Sequence, residues 1–321
     1  MTQIETLLLN CSHFHPDMHE LSMLSKAYPK LRVTVAEETS YTIEQLAKAR
    51  IVVGFPKPGD LPKAENLSWL QTPSAGVGPY TNKSLYRNEN ILLTSAVGTF
   101  GKQIADHVLG MIIAFNHHLF IYHNQMKTQH WERYFPTSDI WESTILLLGF
   151  GDIGKNIALR AKAHGMHVIA IKRTMTAKPP YVDELYTTES LDDCLPKADY
   201  VVLCVASTPQ TENIMDARRI GLMKRGSYLI NVARGSLVDQ ETMITSLESG
   251  HLAGAGLDVT EPEPLPSHNK LWKMPNVLIT PHASGLSLSD SHQVFNIFFE
   301  NLGHYFGDGN MKNLVDFERN Y

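Results

Sequence analysis

The sequence predicts an α/β protein made of two doubly wound parallel-sheet domains, the second inserted into the first. Three observations carry this reading. At 145–165 a buried-strand run passes through a glycine-spaced turn into a helix. Short apolar runs alternate with helical segments on both sides of it, as in parallel sheets with crossover helices. The chain has 321 residues, enough for two domains with full cores.

Composition removes several classes of partner. Hydrophobic residues make up 43% and charged residues 19%, as in ordinary globular proteins. A net charge of −5 offers nucleic acid and anionic membranes no attraction, so neither is expected as a partner. Cys11, Cys194 and Cys204 sit at spacings that suit neither a disulfide framework nor a metal site, and a reducing cytoplasm is expected. The opening MTQIETLLLN lacks the basic region and long apolar run of a signal peptide. No stretch approaches the roughly 18 apolar residues of a membrane span.

Residues 1–95 read as a small α/β unit, with strands expected at Thr6–Leu9, Arg32–Val35, Ile51–Val53, Trp69–Thr72 and Ile91–Thr94. Helices are expected between them, as at Asp17–Ala27 and Thr42–Ala49. Ligands gather at the carboxyl ends of such strands. Two loops there are therefore candidates: Gly54-Phe55-Pro56-Lys57-Pro58 and Ser74-Ala75-Gly76-Val77-Gly78. Small residues in the second leave consecutive N–H groups able to surround an anion. His13, His15 and His19 have no Cys or carboxylate in ligand spacing, and no metal is expected.

Gly98-Thr99-Phe100-Gly101 opens a helix expected over Gln103–Gln129. It is apolar around so much of its circumference (Ile104, Val108, Met111, Ile112, Phe115) that it must be buried between domains or subunits. A linker, Trp131–Glu142, follows. Trp131 and Phe55 are read either as lining a substrate pocket or as packing aromatics.

Ile145–Leu148 then reads as a strand buried on both faces. Gly149, Gly151 and Gly154 follow at G-x-G-x-x-G spacing, with Asp152 and Ile153 between them and a helix over Lys155–Gly165. The first glycine permits the tight turn, the second lets backbone approach a pyrophosphate, and the third lets helix pack on strand. The phosphates would rest on the N–H groups at the helix start. The next strand, His167–Ile171, ends at Lys172-Arg173-Thr174. A protein preferring NAD would place an acid at this tip to bind the ribose hydroxyls. Two cations and a hydroxyl suit a 2′-phosphate instead, so NADP(H) is favoured and NAD(H) remains possible.

Further strands are expected at Tyr200–Val205, Tyr228–Val232, Gly254–Val259 and Val277–Thr280, with helices at Gln240–Ser249 and Leu288–Phe306. The dinucleotide unit spans 98–286, and 1–97 with 287–321 form the other domain. Three polar residues stand just past predicted strands: Arg234, Glu263 and His282. Their chemistry is complementary. Reduction of a 2-oxo acid needs a hydride at the carbonyl carbon, a proton for its oxygen and a cation for the carboxylate. Arg234 would pair with the carboxylate and polarise the carbonyl. His282 would exchange the proton near neutrality. Glu263 would hold the other imidazole nitrogen and fix the tautomer.

The segments GFGDIG, STPQT, INVARGSLVD, GAGLDVTEPEPLP and NVLITPHASG resemble successive signatures of the D-isomer-specific 2-hydroxyacid dehydrogenases, a likeness running over about 70–320. The resemblance is to members of the NADP-preferring glyoxylate/hydroxypyruvate reductase type. It implies a Rossmann cofactor domain inserted into a flavodoxin-like substrate domain, and a homodimer joined through the long helix. Arg234, Glu263 and His282 become its catalytic set. Phe55, Ser74, Ala75, Gly76 and Val77, with Arg234 and His282, become substrate contacts. Cofactor contacts are implied at Gly149, Gly151, Asp152, Ile153, Gly154, Lys172, Arg173, Thr174, Ala206, Ser207, Thr211, Val232, Ala233, Arg234, Asp258 and His282, with Asp258 on the nicotinamide carboxamide. The chain departs from the family pattern at Gly78, commonly Asp, at Ala206-Ser207, where Pro is usual, at Glu142-Ser143-Thr144, usually Gly-Lys-Thr, and at Asp106, commonly Glu. A catalytically silent nucleotide sensor, and a formate or phosphite dehydrogenase, are the alternatives on this scaffold.

Overall fold

The computed structural model describes residues 3–134, 139–307 and 309–319. The chain forms two compact units, residues 1–100 with 286–321, and 101–285. In the first, β1 (Ile4–Asn10), α1 (Met18–Ala27), β2 (Leu31–Glu37), α2 (Ile43–Lys48), β3 (Ile51–Val53), β4 (Trp69–Gln71) and β5 (Leu92–Thr94) alternate. Both helices begin at capping boxes, Asp17 with Glu20 and Thr42 with Gln45, which satisfy donors that a helix start leaves unpaired. The strands form an all-parallel sheet in the order β2-β1-β3-β4-β5, the flavodoxin-like arrangement.

The second unit contains α3 (Gly101–Asn116), α4 (Leu119–Lys127), β6 (Thr144–Leu148), α5 (Asp152–Ala163), β7 (His167–Ile171), β8 (Glu184–Tyr186), α6 (Leu191–Cys194), β9 (Tyr200–Leu203), α7 (Ala217–Leu222), β10 (Ser227–Asn231), α8 (Gln240–Glu248), β11 (Leu252–Leu257) and β12 (Val277–Ile279). Its parallel sheet runs β12-β11-β10-β9-β6-β7-β8. Chain order reverses at β6, which pairs β7 on one side and β9 on the other, as in the Rossmann arrangement. Ile145–Leu148 are almost wholly buried because helices cover both faces of the sheet. The chain then returns to the first unit through α9 (Asp290–Phe306), which lays Phe298 and Tyr305 against the buried Trp69.

Several boundaries differ from expectation for physical reasons. The helix expected over Gln103–Gln129 is two helices, α3 and α4, bent by 67°. The break lies at His118, whose φ of 51° is left-handed, and just before it Asn116 turns its amide onto the Ile112 carbonyl and the Tyr200 hydroxyl. The helix after the glycines starts at Asp152, not Lys155, since Gly154 already packs as a helical residue. The β9 strand ends at Leu203, where the chain passes close against Gly149. The closing helix starts two residues after Leu288, where the buried Asp290 accepts the Ser287 N–H at 2.9 Å. Within the expected linker Trp131–Glu142, residues 135–138 lie outside the described residues. No single described helix is long and apolar enough to cross a membrane.

Candidate active site

Parallel pairing places Ile171, Leu148, Leu203, Asn231, Leu257 and Ile279 in one row across the second sheet. That row is the carboxyl edge of six strands. Gly149, Lys172, Ala206, Arg234, Asp258 and His282 each lie within three residues of it. These six expected site residues therefore share one edge.

His282 and Glu263 meet there, with Nδ1 and Oε2 2.9 Å apart. The other carboxylate oxygen of Glu263 accepts the Thr260 N–H at 3.2 Å, so the side chain is held at both ends. Both residues remain partly open to solvent. Flanking peptide bonds, Glu261–Pro262 and Glu263–Pro264, are cis. Arg234 follows β10 in a turn closed by Asn231, whose amide donates to the Arg234 carbonyl at 2.8 Å and whose Oδ1 accepts the Ala233 N–H at 3.0 Å. Burial of the charged group pushes the Arg234 pKa down and the nearby Glu263 charge opposes that shift. Guanidinium stays charged throughout.

What brings the Arg234 and Glu263 loops together is Gly235. A Cβ at that position would lie 2.1 Å from the Thr260 carbonyl carbon, so only glycine permits this approach. His282 itself adopts φ 51°, a left-handed conformation costing a non-glycine residue roughly 1–2 kcal/mol. Asp258 holds it. This carboxylate, only 2% exposed, accepts the Thr280 hydroxyl at 2.6 Å and the N–H groups of Ala283 and Ser284, while its own carbonyl accepts the His282 N–H at 2.8 Å. Burial raises the Asp258 pKa, but these hydrogen bonds outweigh it and the net shift is downward. Sequence reasoning missed Gly235, Thr280 and Ser284 as supports. The only signal was their place inside the recognised motifs.

The glycine turn fits a dinucleotide. Gly149, at φ 110°, lies so close to the Cys204 carbonyl that a Cβ would be 2.5 Å from it. A Cβ on Gly154 would lie 2.2 Å from the Gly149 oxygen. Nothing lies within 4 Å of a Cβ on Gly151, which leaves room above the α5 N-terminus. That helix start carries no side-chain cap, so its N–H groups are available to a phosphate. At the end of β7, Lys172 is half-buried and Arg173 and Thr174 are exposed. Asp183, the first acid downstream, is engaged at the opposite end of β7 by Lys162 at 2.7 Å and the Val168 N–H at 2.8 Å. The turn after β9 is closed by Thr211, whose hydroxyl donates to the Ala206 carbonyl at 2.8 Å, and Ser207 meets Ser236 at 3.2 Å. Val232 and Ala233 are buried.

In the first unit, the N–H groups of Ser74, Ala75, Gly76 and Val77 meet no acceptor among the described residues, while the Ser74 hydroxyl closes the loop on the Gly76 carbonyl at 2.7 Å. The Val77 side chain belongs to the core, so only its backbone is available to a ligand. Phe55 stacks on Tyr80, the residue that ends this loop, with ring centroids 6.5 Å apart. Trp131, expected either to line a pocket or to pack, is 98% exposed and does neither among the described residues. Among the described residues no cluster of His, Cys, Asp or Glu is arranged to hold a metal.

Fold and edge together define a class: a two-domain dinucleotide-binding protein carrying an imidazole–carboxylate pair and a guanidinium at its sheet edge. A family model described as D-isomer specific 2-hydroxyacid dehydrogenase, NAD binding domain, matches residues 109–284. The chain belongs to that family. It is 41% identical over 146 residues to a glyoxylate reductase of Thermococcus onnurineus, which covers 45% of this chain and 42% of the relative. The match thus spans less than half of that protein's length. Its structure is similar to that of a D-isomer specific 2-hydroxyacid dehydrogenase family protein from Aeromonas salmonicida, with a TM-score of 0.86 at 32% identity, covering 98% of this chain and 100% of the other. It is also similar to the Xanthobacter autotrophicus Py2 family member in complex with NADPH and MES, with a TM-score of 0.82 at 28% identity over 100% of both chains.

Proposed function

We propose that the protein reduces a small 2-oxo acid to the (R)-2-hydroxy acid, and catalyses the reverse, with NADP(H) preferred over NAD(H). The observation that carries this is the 2.9 Å pairing of His282 with Glu263 on the sheet edge that also bears Arg234. The bound nicotinamide supplies the hydride. Arg234 grips the substrate carboxylate with its fork and draws electron density from the carbonyl. Glu263 engages Nδ1 of His282, so Nε2 is the atom that delivers the proton to the carbonyl oxygen and recovers it in reverse. Free N–H groups at 74–77 are the proposed anion-binding turn for the substrate carboxylate, and Phe55 borders its side chain.

Preference for NADP(H) is supported by the cationic tip at Lys172-Arg173-Thr174 and by the engagement of Asp183 elsewhere. The NADPH bound in the Xanthobacter relative points the same way. A cytoplasmic homodimer completes the reading. Leu119, Met126 and Trp131 expose apolar surface on and after α4 that a second copy would cover. The direct test is a paired panel: NADPH or NADH with glyoxylate, hydroxypyruvate, phenylpyruvate and a branched 2-oxo acid. Absorbance loss faster with NADPH is expected. Oxidation of neither cofactor with any acid would overturn the assignment.

A further inference from the structure

We infer that His107 and Thr280 are positioning residues for His282, acting through the carboxylate of Asp258; this rests on His282 being the proton donor. His282 is held in a left-handed conformation, and Asp258 is the group around which its turn closes. Oδ1 accepts the Ala283 N–H at 2.8 Å and the Ser284 N–H at 3.2 Å, and Oδ2 accepts the Ser284 N–H at 3.1 Å. This buried carboxylate therefore fixes the backbone turn from which the imidazole projects. A third donor reaches Oδ1, the Thr280 hydroxyl at 2.6 Å.

That hydroxyl has one proton, and an ionised carboxylate can only accept. Thr280 Oγ1 must therefore accept from its other neighbour, Nε2 of His107 at 3.1 Å. The chain of donors runs one way, from His107 to Thr280 to Asp258. It fixes the His107 proton on Nε2 and removes the rotational freedom of the hydroxyl. His107 lies on α3, whose preceding residue, Asp106, pairs with Arg160 of α5 at 2.5 Å. A Cβ on Gly101, at the start of α3, would lie 2.4 Å from Asp152 Oδ2 at the start of α5. One helix thus braces both the helix that follows the glycine turn and the turn that carries the imidazole.

The test compares T280V with T280S, and H107L with H107Q, beside H282A and the wild type. The wild-type residues and the conservative variants T280S and H107Q keep a donor; T280V and H107L do not. Thermal melting, NADPH affinity by fluorescence, and kcat and KM for glyoxylate are measured for each. T280V and H107L should lower kcat by about 10- to 100-fold, as lost orienting partners do, with NADPH affinity preserved; T280V also melts lower, because the buried Asp258 carboxylate loses a hydrogen bond. T280S and H107Q should recover most of it. The inference is overturned if both T280V and H107L keep wild-type kcat. It is equally overturned if their losses follow NADPH affinity, or if the donor-keeping variants recover nothing. H107L and H107Q alter a half-buried helix surface, so the comparison survives if T280V fails to fold. An H282A protein with normal turnover removes the proton donor and this inference together. An inactive H282A beside undisturbed T280V and H107L removes this inference alone.

Discussion

In the proposed mechanism, Arg234 and Gly235 tie the chemistry to single residues. A lysine at 234 would keep the charge but lose the fork that matches a planar carboxylate. R234K should therefore lower kcat/KM for the 2-oxo acid by about 100-fold or more, the scale of a lost oxyanion donor. Steady-state kinetics check this, and an unchanged kcat/KM would remove Arg234 from the proposed role. G235A must displace the Thr260–Glu261 backbone, since its Cβ would lie 2.1 Å from the Thr260 carbonyl carbon. Strain of that kind costs about 1–3 kcal/mol. The melting temperature should fall, and turnover should fall further as Glu263 moves from His282. Arg234, Glu263 and His282 were legible in the sequence because each follows an apolar strand by only a few residues. Thr280 and His107 were not, since a hydroxyl and a helical imidazole acquire meaning only once β12 and α3 meet.

Among elements, the β6–α5 turn and the tip of β7 are the ones proposed to carry cofactor choice. Replacing Lys172 and Arg173 together with Asp and Ala should raise the KM for NADPH strongly and spare NADH, because a carboxylate repels a 2′-phosphate and accepts from ribose hydroxyls. The ratio of kcat/KM for the two cofactors measures it, and an unaltered ratio would place the determinant elsewhere. The strand–glycine–helix unit was readable because backbone geometry demands glycine at 149 and 154. Elements without such a demand were missed. β8 is three residues of intermediate burial at the sheet edge, with no apolar run to announce it. The break at His118 was hidden because apolar residues continue on both sides, through Phe115 and Phe120, whose rings meet at 5.6 Å.

Across the whole molecule, two parallel sheets of different order are built from one chain that enters the second and returns to the first. Parallel pairing was implied by strand–helix alternation, and the two sheet types by the family resemblance. Asp258 links this scale to acid stability. Its folded pKa lies below its ordinary value of 3.8, so its stabilising contribution is present above the unfolded pKa and is lost as pH falls through the folded one. Melting temperature should decline below about pH 4, and D258N should flatten that part of the curve while lowering the neutral plateau. Melting scans from neutral to acid pH check both. An acid slope identical in D258N would assign the loss to other carboxylates.

The central claim is that His282, oriented by Glu263, moves the proton. Turnover of NADPH with the best 2-oxo acid should fall in H282A by about 100- to 10,000-fold while NADPH still binds. Near-normal turnover in H282A, with the cofactor bound as in the wild type, would contradict it.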